Sequence, residues 1–225
     1  GPEKEPEKED PKKKAKKKLG ALVQPGFLQA QGPTTGVIVS ADGWILISRV
    51  ALAIDPTTIL VTLADGQTFH AERKGEDTSR GLALVKIDAT GLPVPEFAPP
   101  KTIRVGEWVA ALGRTFGRKS PSVHFGIVSA LRRQFGRAVQ TDANTSPANY
   151  GGPLVDVRGR VLGICVPMAQ SGRDAGAELY DSGIGFAATI AGNEALLDAM
   201  RAGKTLHRGW LGVAPEPKGL GPGAK

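Results

Sequence analysis

Past residue 18 the chain reads as short apolar runs separated by turn-forming residues. Gly36-Val37-Ile38-Val39-Ser40 leads through Ala41-Asp42-Gly43 into Trp44-Ile45-Leu46-Ile47, and Thr58 to Leu63 runs into Ala64-Asp65-Gly66. An Asp-Gly pair between apolar runs signals a hairpin, because Gly accepts the positive φ of a tight turn. Leu82 to Ile87, Val105 to Leu112, Gly126 to Leu131, Ala138 to Thr141, Pro153 to Val157 and Val161 to Val166 continue the series. Many short strands at this spacing predict an all-β barrel or sandwich. One segment has another period. In Ala191 to Ala202, Leu196, Leu197 and Met200 recur at helical spacing, and Gly203 supplies the stop. Arg208 to Val213 then predicts a further strand, running into Pro- and Gly-rich sequence.

Composition alters this picture mainly at the N-terminus. Of the net +7, residues 1–18 hold +3, from eight Lys against five acids, with Ala15 as the only apolar side chain. Such a segment cannot bury enough apolar surface to order itself, so 1–18 is predicted to be a disordered charged tail. The remaining residues carry only +4, which gives no reason to expect a specific nucleic-acid partner. Lys12 to Lys18 and Arg132, Arg133 and Arg137 leave a weaker, non-specific anion-binding reading open. No apolar run approaches the 18 residues of a membrane-spanning helix. The single cysteine, Cys165, admits no internal disulfide, and no metal-ligand spacing or cofactor motif is present.

Several motifs together resemble the HtrA/Deg serine proteases. They are Gly36 to Leu46, Leu82 to Ile87, Gly106 to Gly113, Gly126 to Leu131, Gln140 to Ala143, Gly151-Gly152-Pro153-Leu154 and Gly183 to Ala187, in the family's order and spacing. The resemblance spans roughly Gly36 to Val213. It implies an all-β, chymotrypsin-like double β-barrel with a C-terminal linker helix. The implied boundaries are a tail at 1–18, the barrel domain at 19–190, the linker helix at 191–207 and the start of a PDZ-like domain at 208–225.

Proteases of this kind use Ser as nucleophile, His as general base and Asp to orient it. The family's His lies seven positions after the hairpin Gly, which is Val50 here. Its Asp directly precedes the Leu-Ala-Leu-Val strand, which is Gly81, and its Ser directly precedes Gly-Gly-Pro-Leu, which is Tyr150. The oxyanion loop survives only as the remnant Ala148, Asn149, Gly151 and Gly152, with Ala148 where the family has Gly. His70, His124 and His207 fall outside triad positions, and Asp77 matches a structural acid. Loss of the Ser or His from such a triad costs on the order of 10⁶ in turnover. The expectation drawn from these residues is a pseudoprotease, not an enzyme, that serves as a binding, scaffolding or regulatory module. The alternative is an HtrA-type serine endopeptidase with a relocated active site.

The resemblance also implies partners and a place. A protein or peptide partner is expected, an active HtrA relative among the options, with Cys165, Val166, Pro167 and Met168 as the candidate peptide-binding strand. A homo-trimer is implied through an N-terminal segment; Leu22, Val23, Phe27 and Leu28 of Leu19 to Gly32 serve that purpose or pack on their own barrel. The implied location is periplasmic or otherwise extracytoplasmic.

Overall fold

The computed structural model describes residues 33–114, 120–168, 183–207 and residue 209. The predicted tail 1–18, the Leu19–Gly32 segment and the PDZ-like start at 208–225, apart from residue 209, lie outside the described residues.

Both Asp-Gly signals form hairpins. β1 (Gly36–Ser40) pairs antiparallel with β2 (Trp44–Ser48), the turn closed by Gly43 N donating to Ser40 O at 3.1 Å. β3 (Ile59–Thr62) and β4 (Thr68–Asp77) are joined by a second turn, in which Gly66 N donates to Leu63 O at 3.1 Å. β5 (Leu82–Ile87) lies between β2 and β4, giving the order β1-β2-β5-β4, with β3 also on β4. The second unit is a closed barrel. It comprises β6 (Trp108–Gly113), β7 (Ser122–Arg132), β8 (Ala138–Thr141), β9 (Pro153–Asp156), β10 (Val161–Cys165) and β11 (Gly185–Ala188). An open six-stranded sheet beside a closed barrel is the chymotrypsin-like double-barrel arrangement.

Three strands carry most of the packing because both of their faces are buried. On β2, Ile45 and Ile47 point into the first sheet's core with Val85 and Ile87 of β5, while Leu46 points the other way. Leu46 meets Leu82 and Leu84 of β5 and Ile164 of β10 in a core shared between the two units. Leu162 and Cys165 of β10 turn instead into the closed barrel, with Val109, Val128 and Leu154. A continuous apolar run such as Leu82-Ala83-Leu84-Val85 is what a strand buried on both faces requires.

The helix is shorter than its periodicity predicts. α1 (Glu194–Arg201) begins after a turn in which Asn193 N donates to Ile190 O at 3.0 Å, so Ala191 and Gly192 stay outside it. Its Met200 is fully buried against the shared core, and the Arg201 guanidinium lies 5.7 Å from the Trp44 ring centroid. The chain then adds β12 (Thr205–Leu206) in parallel to the end of β4. Glu76 N donates to Lys204 O at 3.2 Å, and Thr78 donates to Leu206 O through both N and Oγ1 at 2.9 Å. The sequence pattern did not predict this strand, since two residues are too few to show a period.

Leu84 is fully buried at the centre of the shared core. Leu84→Ala is expected to destabilise the domain by about 2–5 kcal/mol, through lost burial plus the cavity left behind. Urea unfolding followed by circular dichroism measures this. A cost near zero would mean that the two units do not share one core.

Candidate functional site

Of the three positions singled out in the sequence, Val50 and Gly81 flank the doubly buried strands β2 and β5, and Tyr150 lies on a loop that bonds to the end of β10. β2 runs into a single 3-10 turn, Arg49–Leu52, which carries half-buried Val50. Gly81 immediately precedes β5, and its carbonyl accepts a hydrogen bond from Arg49 N at 2.8 Å. Gly81 has φ of +68°, and a Cβ built on it would stand 3.8 Å from Val166 Cβ, just past β10. There is room for a side chain, but an L-residue would be strained in that conformation.

Tyr150 enters from the loop between β8 and β9. Its side chain is buried at 8% exposure, and its carbonyl accepts from Thr34 Oγ1 at 3.0 Å. Two glycines dock the loop. Gly151 N donates to Cys165 O and Cys165 N donates to Gly152 O, each at 2.8 Å. A Cβ on Gly151, whose φ is +85°, would lie 2.1 Å from Thr35 O, so no larger residue fits there. Asn149 is fully buried and braces the same loop, its Oδ1 accepting from Ser146 N and its Nδ2 donating to Asn144 O, both at 2.9 Å. The amide of Ala148 donates to Ser146 Oγ at 3.3 Å, and that of Tyr150 donates to Ser146 O at 3.1 Å. Both amides are therefore engaged within the loop.

A buried carboxylate fixes the approach to Gly81. Asp77, 1% exposed, accepts from Ser79 N and Oγ, Arg80 N and Arg80 Nη1, at 2.6–3.1 Å. It holds the turn and reaches no imidazole. The described histidines stand elsewhere: His70 opposite Leu60 on β4, His124 opposite Ala111 on β7, and His207 with Nδ1 3.4 Å from Thr78 Oγ1. Cys165 is fully buried, and burial pushes its thiol up to about 12, so it is a neutral core group at physiological pH. No cluster of three or more His, Cys, Asp or Glu able to hold a metal occurs among the described residues.

Ser48, the last residue of β2, is a polar group that the sequence reading missed. It is 1% exposed, its Oγ has no hydrogen-bond partner among the described residues, and its amide lies 3.0 Å from where a Gly151 Cβ would stand. Its one sequence signal is a hydroxyl at the end of the apolar run Trp44 to Ile47.

Burial of these two side chains has measurable effects. Ser48→Ala removes an uncompensated buried hydroxyl and is expected to raise stability by about 1–3 kcal/mol in thermal melts. A destabilised variant would mean that a water or a moving neighbour satisfies Ser48. Burial keeps the Cys165 thiol neutral and out of reach of solvent at pH 8. Ellman's reagent is expected to leave the folded domain unmodified at pH 8 and to react fully in denaturant. Rapid labelling of the folded domain would contradict the burial.

Comparison with known proteins gives this geometry a context. The family described as Trypsin-like peptidase domain matches residues 34–164. A protein of Halomonas elongata named "Probable periplasmic serine endoprotease DegP-like" is 37% identical over 188 residues, 81% of this chain and 38% of its own length. A protein of the same name from Chlamydia trachomatis is 34% identical over 189 residues, 81% of this chain and 36% of its own. A solved structure titled "HtrA-type protease AlgW with decapeptide" superposes with a TM-score of 0.62 at 34% identity, covering 79% of this chain and 54% of that one. The chain thus spans well under half the length of these two curated relatives.

These relatives overturn the expectation of a non-enzyme. Proteins about a third identical over four-fifths of the chain are named serine endoproteases, which points to a protease. The expectation rested on three side chains, whereas the comparison weighs the whole domain. The identities of Val50, Gly81 and Tyr150 bear on which groups act and not on the family.

Proposed function

We propose that this chain, which belongs to the HtrA-type trypsin-like peptidases, engages extended polypeptide along the strand end Val166–Met168, and that any hydrolysis it performs uses no nucleophile at position 150. The observation that carries this reading is the exchange of hydrogen bonds between Gly151-Gly152 and Cys165. It sets the strand end beside position 150, and a Cβ on Gly81 would stand 3.8 Å from Val166 Cβ. Cys165 spends both backbone groups on that exchange, and Val166 N donates to Phe186 O at 3.1 Å. An incoming segment therefore aligns with Pro167 and Met168, where Pro167 brings no N–H and limits the ladder. A peptide-bound HtrA-type structure among the similar folds supports polypeptide as the substrate class.

Assembly and location rest on other support. The outer face of the closed barrel exposes Trp108, Phe125 and Val123, at 63%, 71% and 45%, on the paired strands β6 and β7. Large apolar side chains grouped in this way favour self-association, and the family resemblance makes a homo-trimer the assembly we propose. The periplasmic names of the bacterial relatives support an extracytoplasmic location.

Amide hydrogen exchange with and without an unfolded casein peptide tests the polypeptide site. Slower exchange at the Met168 amide is expected, with fragment release measured in parallel over a day. Saturable binding that leaves Met168 unprotected would remove the proposed site. Tyr150→Ser is expected to leave casein turnover at the parent level, because neither Val50 nor Gly81 supplies a base. A rise of about tenfold or more would show that a general base reaches position 150.

A further inference from the structure

The connection between β7 and β8 has an unusual backbone. Arg132 (φ 53°, ψ 34°), Gln134 (φ 52°, ψ 48°) and Phe135 (φ 61°, ψ 39°) all lie in the left-handed region, and Gly136 follows at φ 85°. Residues bearing a Cβ occupy this region rarely, and such clusters persist only where surrounding structure imposes them. Here it does. Arg137 N donates to Arg133 O at 3.0 Å, and Arg137 O accepts from Thr189 N and Oγ1 at 2.8 and 3.1 Å. Arg133 Nε donates to Gln140 Oε1 at 2.9 Å. The turn is thus held in one shape, with Phe135 at its tip 75% exposed.

Its charge is unbalanced. Arg49, Arg73, Arg80, Arg160 and Arg201 each lie within 4 Å of a carboxylate. Arg132, Arg133 and Arg137 form no ion pair among the described residues, as is also true of Arg104, Arg114 and Arg158, but only these three share one turn; Gln140 and Thr189, which bond Arg133 and Arg137, are uncharged. Three guanidinium groups and an exposed aromatic therefore share one turn of six residues, with Arg132, Arg133, Phe135 and Gly136 all exposed. A lipid interface takes up cations and a ring together, the cations at its phosphates and the ring among its headgroups. Arg forks match phosphodiester oxygens, and an aromatic ring settles at the headgroup level.

We propose that the Arg132–Arg137 turn docks the domain on an anionic phospholipid surface. The test is co-sedimentation of the full chain with phosphatidylglycerol/phosphatidylcholine vesicles and with phosphatidylcholine vesicles alone. Binding is expected only to the anionic vesicles. The triple variant Arg132→Gln, Arg133→Gln, Arg137→Gln is expected to lower partitioning on the order of 100-fold. Phe135→Ser is expected to lower it roughly tenfold. Far-UV circular dichroism verifies that both variants are folded. Undiminished vesicle binding by the triple variant would overturn the proposal and assign adhesion to other basic residues. Displacement by inorganic phosphate at fixed ionic strength would overturn it in favour of a free-phosphate site. Loss of oligonucleotide binding with vesicle binding intact would overturn it in favour of nucleic acid.

Discussion

The burial of β2, β5 and β10 on both faces governs the rest of the molecule. Each of these strands contributes one face to its own unit and the other to the shared core, where Leu46, Leu82, Leu84 and Ile164 meet. A strand fixed from two sides has little freedom at its ends, and the candidate site positions lie at or against those ends. The Arg49–Leu52 turn leaves β2, Gly81 precedes β5 and Val166 comes directly after β10. The backbone positions at these strand ends are therefore a by-product of core packing, and they hold whatever side chains stand there.

That separation accounts for how the site residues relate to the family. The Gly151-Gly152 exchange with Cys165 and the Asn149 brace hold the loop through backbone groups and one buried amide, independently of the side chains at 148 and 150. Scaffold and reacting groups depend on different residues, so one can persist while the other changes. Similarity across four-fifths of the chain reports on the scaffold, and it places the domain in the trypsin-like peptidase family. Three side chains, weighed alone, pointed away from enzymes, and that inference went further than three positions can carry.

The hairpins were legible because their signals are local: Asp-Gly pairs flanked by apolar runs give the β1–β2 and β3–β4 turns in the sequence as they stand in the fold. The chymotrypsin-like arrangement was legible from motif order. Features made by distant residues were not. β12 exists only because β4 offers an edge to it, and its two residues carry no pattern of their own. The orphaned hydroxyl of Ser48 depends on what surrounds it. Arg132, Arg133 and Arg137 were visible as basic residues, but Arg-Arg-Gln-Phe carries no turn signal before Gly136, so the left-handed turn that gathers them was not.

The parallel strand β12 has a mechanical consequence. Leu206 O takes both hydrogen bonds of Thr78, and Thr78 begins the turn that Asp77 anchors and Gly81 completes. Because the strand runs along β4, a tension on the chain beyond Leu206 loads these bonds in shear, and they bear it together. The force enters at Thr78, three residues before Gly81, through hydrogen bonds at the edge of the shared core against which Leu206 packs. Whatever is attached after Leu206 thus holds a short lever on the turn that leads to Gly81.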